Sequence, residues 1–208
     1  FMRNLCECTK INGYFIGGCY DGNLIFERLK NKKRGDGITL MNKNNSEKIW
    51  QITKQYDNEK LKDDVSSLGI GIDIYQETIN KTFREYLVNF NYLIRIMENY
   101  GFVPLDDEDA RKMGLPNGIG NFKELFEQLE QDIERNKNIK KDIKKSLHMT
   151  DNEKTISFLN KYFVFKKIRN VDAKSVKIET EEDELYDEEE SSLRKKSEKK
   201  GKKIRLVE

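Results

Sequence analysis

Apolar positions in the first 170 residues change their period several times, and each change predicts an element. "NGYFIGGCYDG", residues 12 to 22, holds a short apolar run between glycines, which predicts a buried strand from Tyr14 to Tyr20 with a turn at each end. In "GNLIFERLKN", Leu24, Ile25 and Leu29 fall at helical spacing and predict a short helix. Residues 31 to 46 are rich in lysine, asparagine and glycine and read as a loop. "KIWQITKQY" sets Ile49, Gln51 and Thr53 against Trp50 and Ile52, the two-residue period of a strand. "GIDIYQETINKTFREYLV" is extended too, with turn character around Asn80.

Beyond it, Phe90, Leu93, Ile94, Met97 and Tyr100 share one helical face, and Gly101 stops the helix. "FVPL" reads as a short strand, and Gly114 to Gly120 as a loop. Phe122, Leu125, Phe126, Leu129 and Ile133 mark a second amphipathic helix. Thr150 and Asp151 can cap a helix running toward Leu159, and "KYFVFKKI" closes as a strand. This order suits the second half of an α/β sheet better than a complete one. A doubly wound nucleotide-binding domain carries a glycine-rich turn after its first strand, and the glycines of "FIGGCYDG" are not in that frame.

Charge changes the picture only at one end. Charged residues are 37% of the chain and hydrophobic ones 36%. Much of the charge lies in "IETEEDELYDEEESSLRKKSEKKGKKIRLVE", which starts at Ile178, with nine acidic residues between Glu179 and Glu190 and eight basic ones between Arg194 and Arg205. Such blocks are usually solvated, so residues 171–208 are expected to be a charged, disordered tail behind a domain at 1–170. The basic block could touch RNA phosphates or fold back on the acidic one. The net charge of +2 says little, because the blocks cancel.

Cys6, Cys8 and Cys19 have no histidine nearby and make a poor zinc signature, so no metal is expected and reduced thiols are the better reading. The single His148 sits in a polar stretch and reads as a surface residue. No apolar run approaches about 18 residues, so no membrane span is expected. Nothing after Phe1 resembles a signal peptide, and the chain starts as if inside an element. Glu85 draws attention for another reason. It lies among Phe83, Tyr86, Leu87, Val88 and Phe90, where a buried carboxylate is costly unless satisfied. Either it points to solvent between buried neighbours, or it waits for a ligand with paired donors.

"GYFIGGCYDG", "IWQITKQY", "SSLGIGIDIYQETINKTFREYLVNFNYLIRIMENYGF" and "ISFLNKYFVFKK" together resemble the mRNA cap guanine-N7 methyltransferase domain, in the variant found in capping enzymes of large DNA viruses. The resemblance runs from about Asn4 to Arg169 and covers only the C-terminal part of that domain. It implies a Rossmann-like, S-adenosylmethionine-dependent methyltransferase fold whose last strand runs antiparallel. It also implies that the methyl donor is bound mainly by residues upstream of this chain, with no cofactor-binding residue here. Glu85, in "REYLV", matches the glutamate that reads the cap guanine. Tyr20 sits where cellular relatives have a proline, and could stack on the base. Register places Asn160 where those relatives have a cap-contacting tyrosine, and Tyr162, two residues on, would face the same side. One of the two is expected to reach the cap, with Asn160 favoured. No catalytic acid or base is expected, because guanine N7 carries a free lone pair.

The implied partners are the capped 5′ end of mRNA and the upstream half of the domain, with triphosphatase and guanylyltransferase domains as further candidates. The implied location is intracellular, in the cytoplasm of an infected cell or in a virion. Two other readings stay open. One is a non-enzymatic lobe that binds a partner subunit or RNA, and the other a Rossmann-like methyltransferase with another substrate. The chain alone is expected to be inactive.

Overall fold

A computed structural model describes residues 1–135 and 146–177. Two antiparallel sheets carry the fold. In the first, β1 (Tyr14–Tyr20) pairs along its whole length with β8 (Asn160–Lys167), from Tyr14 opposite Lys166 to Tyr20 opposite Asn160. The other edge of β8 takes β7 (Ile119–Asn121) against its first half and β6 (Phe102–Pro104) against its second. With both edges paired, β8 carries a continuous buried run from Tyr162 to Phe165, as strands covered on both faces do. The last strand is antiparallel, as the resemblance implied.

The second sheet is a meander of β2 (Gly37–Met41), β3 (Lys48–Lys54), β4 (Gly71–Gln76) and β5 (Lys81–Tyr86). The turn expected at Asn80 joins β4 to β5, and Asn80 takes φ +50°, which asparagine tolerates better than most residues. Six α-helices occur among the described residues: α1 (Met2–Cys8), α2 (Gly22–Leu29), α3 (Phe90–Asn99), α4 (Asp107–Lys112), α5 (Phe122–Arg135) and α6 (Asp151–Ser157).

Two apolar clusters hold the layers together. Ile25, Phe26 and Leu29 of α2 pack on the inner face of the meander, against Trp50, Ile52, Ile72 and Ile74. Phe163 and Phe165 of β8 pack with Phe90, Met97, Phe102 and Cys6. Each such side chain contributes about 1.5–3 kcal/mol on burial. Val171 and Ala173, just past β8, pack against this second cluster. The buried Lys167 ties α1 to β8, its ammonium donating to the carbonyls of Cys6 at 2.6 Å and Thr9 at 2.7 Å, near the C-terminal end of α1.

Several expectations need correction. Residues 31–46 are not all loop, because β2 pairs with β3 there. The loop ascribed to Gly114–Gly120 ends in β7, a three-residue strand that exists because β8 offers it an edge. Neither α1 nor α4 was anticipated. In α4, three acidic residues in the first turn and Arg111 and Lys112 in the last complement the helix dipole. The charged segment from residue 178 onward lies outside the described residues.

Candidate functional site

Three chain segments converge where β1 ends. The backbone N–H of Asp21 donates to the carbonyl of Leu159 at 2.8 Å, joining the end of β1 to the residue before β8. The Asp21 carboxylate caps α2, accepting from the N–H groups of Asn23 at 3.1 Å and Leu24 at 3.4 Å, and its other oxygen lies 3.0 Å from the Lys161 ammonium. That ammonium also sits 5.2 Å from the centre of the Phe90 ring. The third segment follows β5. Gly22 N–H donates to the Val88 carbonyl at 3.1 Å, and a Cβ on Gly22 would fall 2.4 Å from that oxygen, so only glycine permits the approach. Asn89 fixes the next step: its carbonyl oxygen caps α3, and its amide donates to Lys62 O and to Asp63.

Glu85 stands at the open side of this junction. In register it lies opposite Ile72, and Phe83 opposite Ile74, so both point to the face that forms the core further along the sheet. The core stops short of them. All six residues of β5 are exposed, with Phe83 at 44% and Tyr86 at 59%, because β5 is the last strand of the meander. The expectation of buried neighbours on both sides is therefore corrected; Leu87, the next residue, is the one that turns inward. The Glu85 carboxylate has no hydrogen bond or ion pair among the described residues, and partial burial alone raises its pKa. Its charge reaches β1. The Cys19 thiol is pushed up to about 11, first by burial and then by Asp21 and Glu85. The Tyr20 phenol is raised by burial, and Glu85 adds to that against hydrogen bonds from Trp50 and Gln76.

The other candidates divide. Tyr20 and Asn160 face each other across β1 and β8 at the same junction. The indole N–H of Trp50 donates to the Tyr20 hydroxyl at 3.2 Å, which holds the phenol against the meander. The Asn160 amide donates to the carbonyls of Ile156 and Ser157, both at 3.1 Å, closing the end of α6, and its oxygen takes no hydrogen bond among the described residues. A cleft of about 630 Å³ is lined by Trp50, Ile156 and Ser157 among others, the residues that bond Tyr20 and Asn160, although neither Tyr20 nor Asn160 lines it. Tyr162 shares the face of Asn160 but is buried beside β7, where its hydroxyl donates to Asn117 O at 3.1 Å and accepts from Asn117 N at 3.3 Å. The structure thus gathers Glu85, Tyr20 and Asn160 and sets Tyr162 apart. Trp50, Gln76 and Cys19 join the site unforeseen; only the strand register, which is non-local, reveals them.

The three cysteines are free, and no group of metal-ligating side chains occurs among the described residues. No described helix is long and apolar enough to cross a membrane.

A family model described as the mRNA (guanine-N(7))-methyltransferase domain matches residues 1–168. The chain belongs to this family. The mixed α/β fold with antiparallel sheets is consistent with such a methyltransferase domain. Among curated proteins it is similar to the "Probable mRNA-capping enzyme" of Acanthamoeba polyphaga mimivirus, at 31% identity over 113 residues, 52% of this chain. The matched region is 9% of that viral protein.

Methyltransferases of this kind use S-adenosylmethionine, and the residues described at the end of β1 do not fit a site for it. The acidic residue at the end of β1, Asp21, has one carboxylate oxygen committed to the α2 cap and the other to Lys161. The glycines of β1 serve packing: a Cβ on Gly17 would meet the Phe163 ring at 2.5 Å.

Proposed function

We propose that this chain forms the cap-guanine side of an mRNA (guanine-N7)-methyltransferase, which moves a methyl group from S-adenosylmethionine to N7 of the 5′ cap guanine. One observation carries the reading: Glu85 presents an unpartnered, partly desolvated carboxylate at the junction of β1, β8 and β5. Guanine offers N1–H and N2–H on one edge, and a carboxylate accepts both in a paired, charge-assisted arrangement. The same negative charge favours the positive charge that develops on the ring as N7 is methylated. Asn160, whose side-chain oxygen takes no hydrogen bond among the described residues, and Tyr20, at the same junction, line the approach in this reading. Tyr162 acts one step back, by fixing the Asn117 loop beside β8.

No residue here needs to remove a proton, since N7 has a free lone pair. What the chain supplies is orientation of the acceptor, which is worth a large part of the rate in a reaction of this type. The donor site belongs to a half of the domain that this chain does not supply, so the chain alone is inactive and binds no S-adenosylmethionine measurably by calorimetry. Capped RNA and that donor-binding half are the partners proposed. Triphosphatase and guanylyltransferase domains are added by analogy with the viral capping enzyme, as is action in an infected cell's cytoplasm or in a virion.

Base substitution in the acceptor tests the reading. With the donor half in place, a cap dinucleotide carrying hypoxanthine lacks N2–H and leaves one Glu85 oxygen unpaired. Its kcat/KM should fall by about tenfold or more relative to guanine, for a lost charged hydrogen bond of about 1.5–3 kcal/mol. Equal rates for the two bases would remove Glu85 from guanine recognition.

A further inference from the structure

Phe83 is the one large apolar side chain on the uncovered part of the inner face of β5. It lies two residues before Glu85, on the same face, and remains 44% exposed although its register partner Ile74 is buried. One step further along β5, Lys81 pairs with Gln76, whose side chain bonds the Tyr20 phenol. Phe83 therefore occupies the span between the phenol and the carboxylate. Residues two apart on a strand are separated by about 6.7 Å, within the reach of one purine. An exposed phenylalanine beside an unpartnered carboxylate matches a base that has an aromatic face and a donor edge.

We infer that Phe83 is the stacking platform for the cap guanine, and that with Glu85 it favours the methylated base over the unmethylated one. This rests on the cap-reading role proposed for Glu85. Methylation at N7 leaves the purine with a positive charge, and an aromatic face, which stacks on any base, attracts a cationic ring more strongly than a neutral one. Glu85 acts in the same direction by its charge. The two groups flank the acceptor from its face and its edge, so both stabilise the charge that grows on the ring during transfer. The consequence is specific: the product cap should bind more tightly than the substrate cap, and should inhibit.

The test uses the methyltransferase with its donor-binding half in place, titrated with GpppA and m7GpppA in wild type, Phe83→Leu, Phe83→Trp and Glu85→Gln. Phe83→Leu should weaken m7GpppA by about tenfold and GpppA by less, with the donor KM and the thermal midpoint unmoved. Phe83→Trp should keep or strengthen the preference for m7GpppA. If Phe83→Leu binds both caps like wild type while Glu85→Gln weakens them, Phe83 has no stacking role and the cap reading of Glu85 survives. If neither variant weakens either cap, the cap reading fails and the stacking role with it. An equal loss for both caps, accompanied by a fall of several degrees in the midpoint, would make Phe83 structural and overturn the inference.

Discussion

β8 and β5 both carry phenylalanine on a face that is core elsewhere in its sheet, and the two strands meet opposite fates. In β8, Phe165 is 0% exposed, because β1 covers one edge, β6 and β7 the other, and α3 and α1 supply the apolar partners of its inner face. In β5, Phe83 is nearly half exposed, because β4 is its single strand neighbour among the described residues and the cluster under the meander takes in no residue of β5. Both strands are extended and paired; coverage differs. A face that is core along β3 and β4 continues as a wet shelf on β5, carrying Phe83 and Glu85 to where β1 ends. The difference separates residues that hold the fold from residues free to meet a ligand.

Mutations on the two strands should separate accordingly, and the largest effect belongs to β8. Phe165→Ala removes a fully buried ring and should cost about 3–5 kcal/mol in urea unfolding. A loss under 1 kcal/mol would mean that β8 is not the centre of the core. Lys167→Met leaves the Cys6 and Thr9 carbonyls without their buried donor and should cost about 1–3 kcal/mol. Asn89→Ala removes the α3 cap at the foot of β5, for about 1 kcal/mol by the same measurement. On β5 itself, Phe83→Leu should stay within about 0.5 kcal/mol of wild type.

Glu85 adds a pH dependence of opposite sign to a salt-bridged carboxylate. Its folded pKa is raised, so the native state holds the proton more tightly than the unfolded chain. Its contribution to stability is fully present below the unfolded pKa and is lost as pH rises through the folded pKa. Glu85→Gln should therefore leave stability at pH 7 unchanged or slightly higher, and a difference curve of wild type minus variant should fall between acidic and neutral pH. The smallest effect is chemical. At pH 8, alkylation followed by mass spectrometry should modify exposed Cys8 and spare Cys19, whose pKa of about 11 leaves little thiolate. Glu85→Gln should speed Cys19 modification slightly. No change would place the two residues further apart than the account requires.

Local pattern made much of this fold legible. β3 and α3 follow from their apolar periods, and the stop after α3 follows from Gly101, which takes φ +85°. The apolar run of β1 marks the strand at its expected bounds, but its burial is corrected: no residue of β1 is buried, and Ile16 is 67% exposed, because β8 is its one strand neighbour among the described residues. β2 was hidden because lysine, asparagine and glycine surround a five-residue strand, so composition outweighed alternation. β7 is formed by pairing, not by propensity: three residues extend because β8 has an open edge there. The candidate site was legible only in part. Glu85 stands out as a carboxylate among aromatics, yet whether its face is covered depends on where the core ends, which no local pattern records. The hydrogen bond from Trp50 to Tyr20 spans thirty residues of sequence and two sheets, and belongs to packing alone.

The central claim is that Glu85 reads the cap guanine, and Glu85→Gln tests it most directly. The substitution keeps size, removes the charge and turns one acceptor into a donor facing a guanine N–H. Losing a charged hydrogen bond and leaving a polar group unpaired costs roughly 2–4 kcal/mol, on the order of 30- to 1000-fold in rate. Measured in the methyltransferase with its donor-binding half, kcat/KM on capped RNA should fall by that factor, with donor KM and thermal midpoint unchanged. Methylation of capped RNA by Glu85→Gln at the wild-type rate would contradict the account.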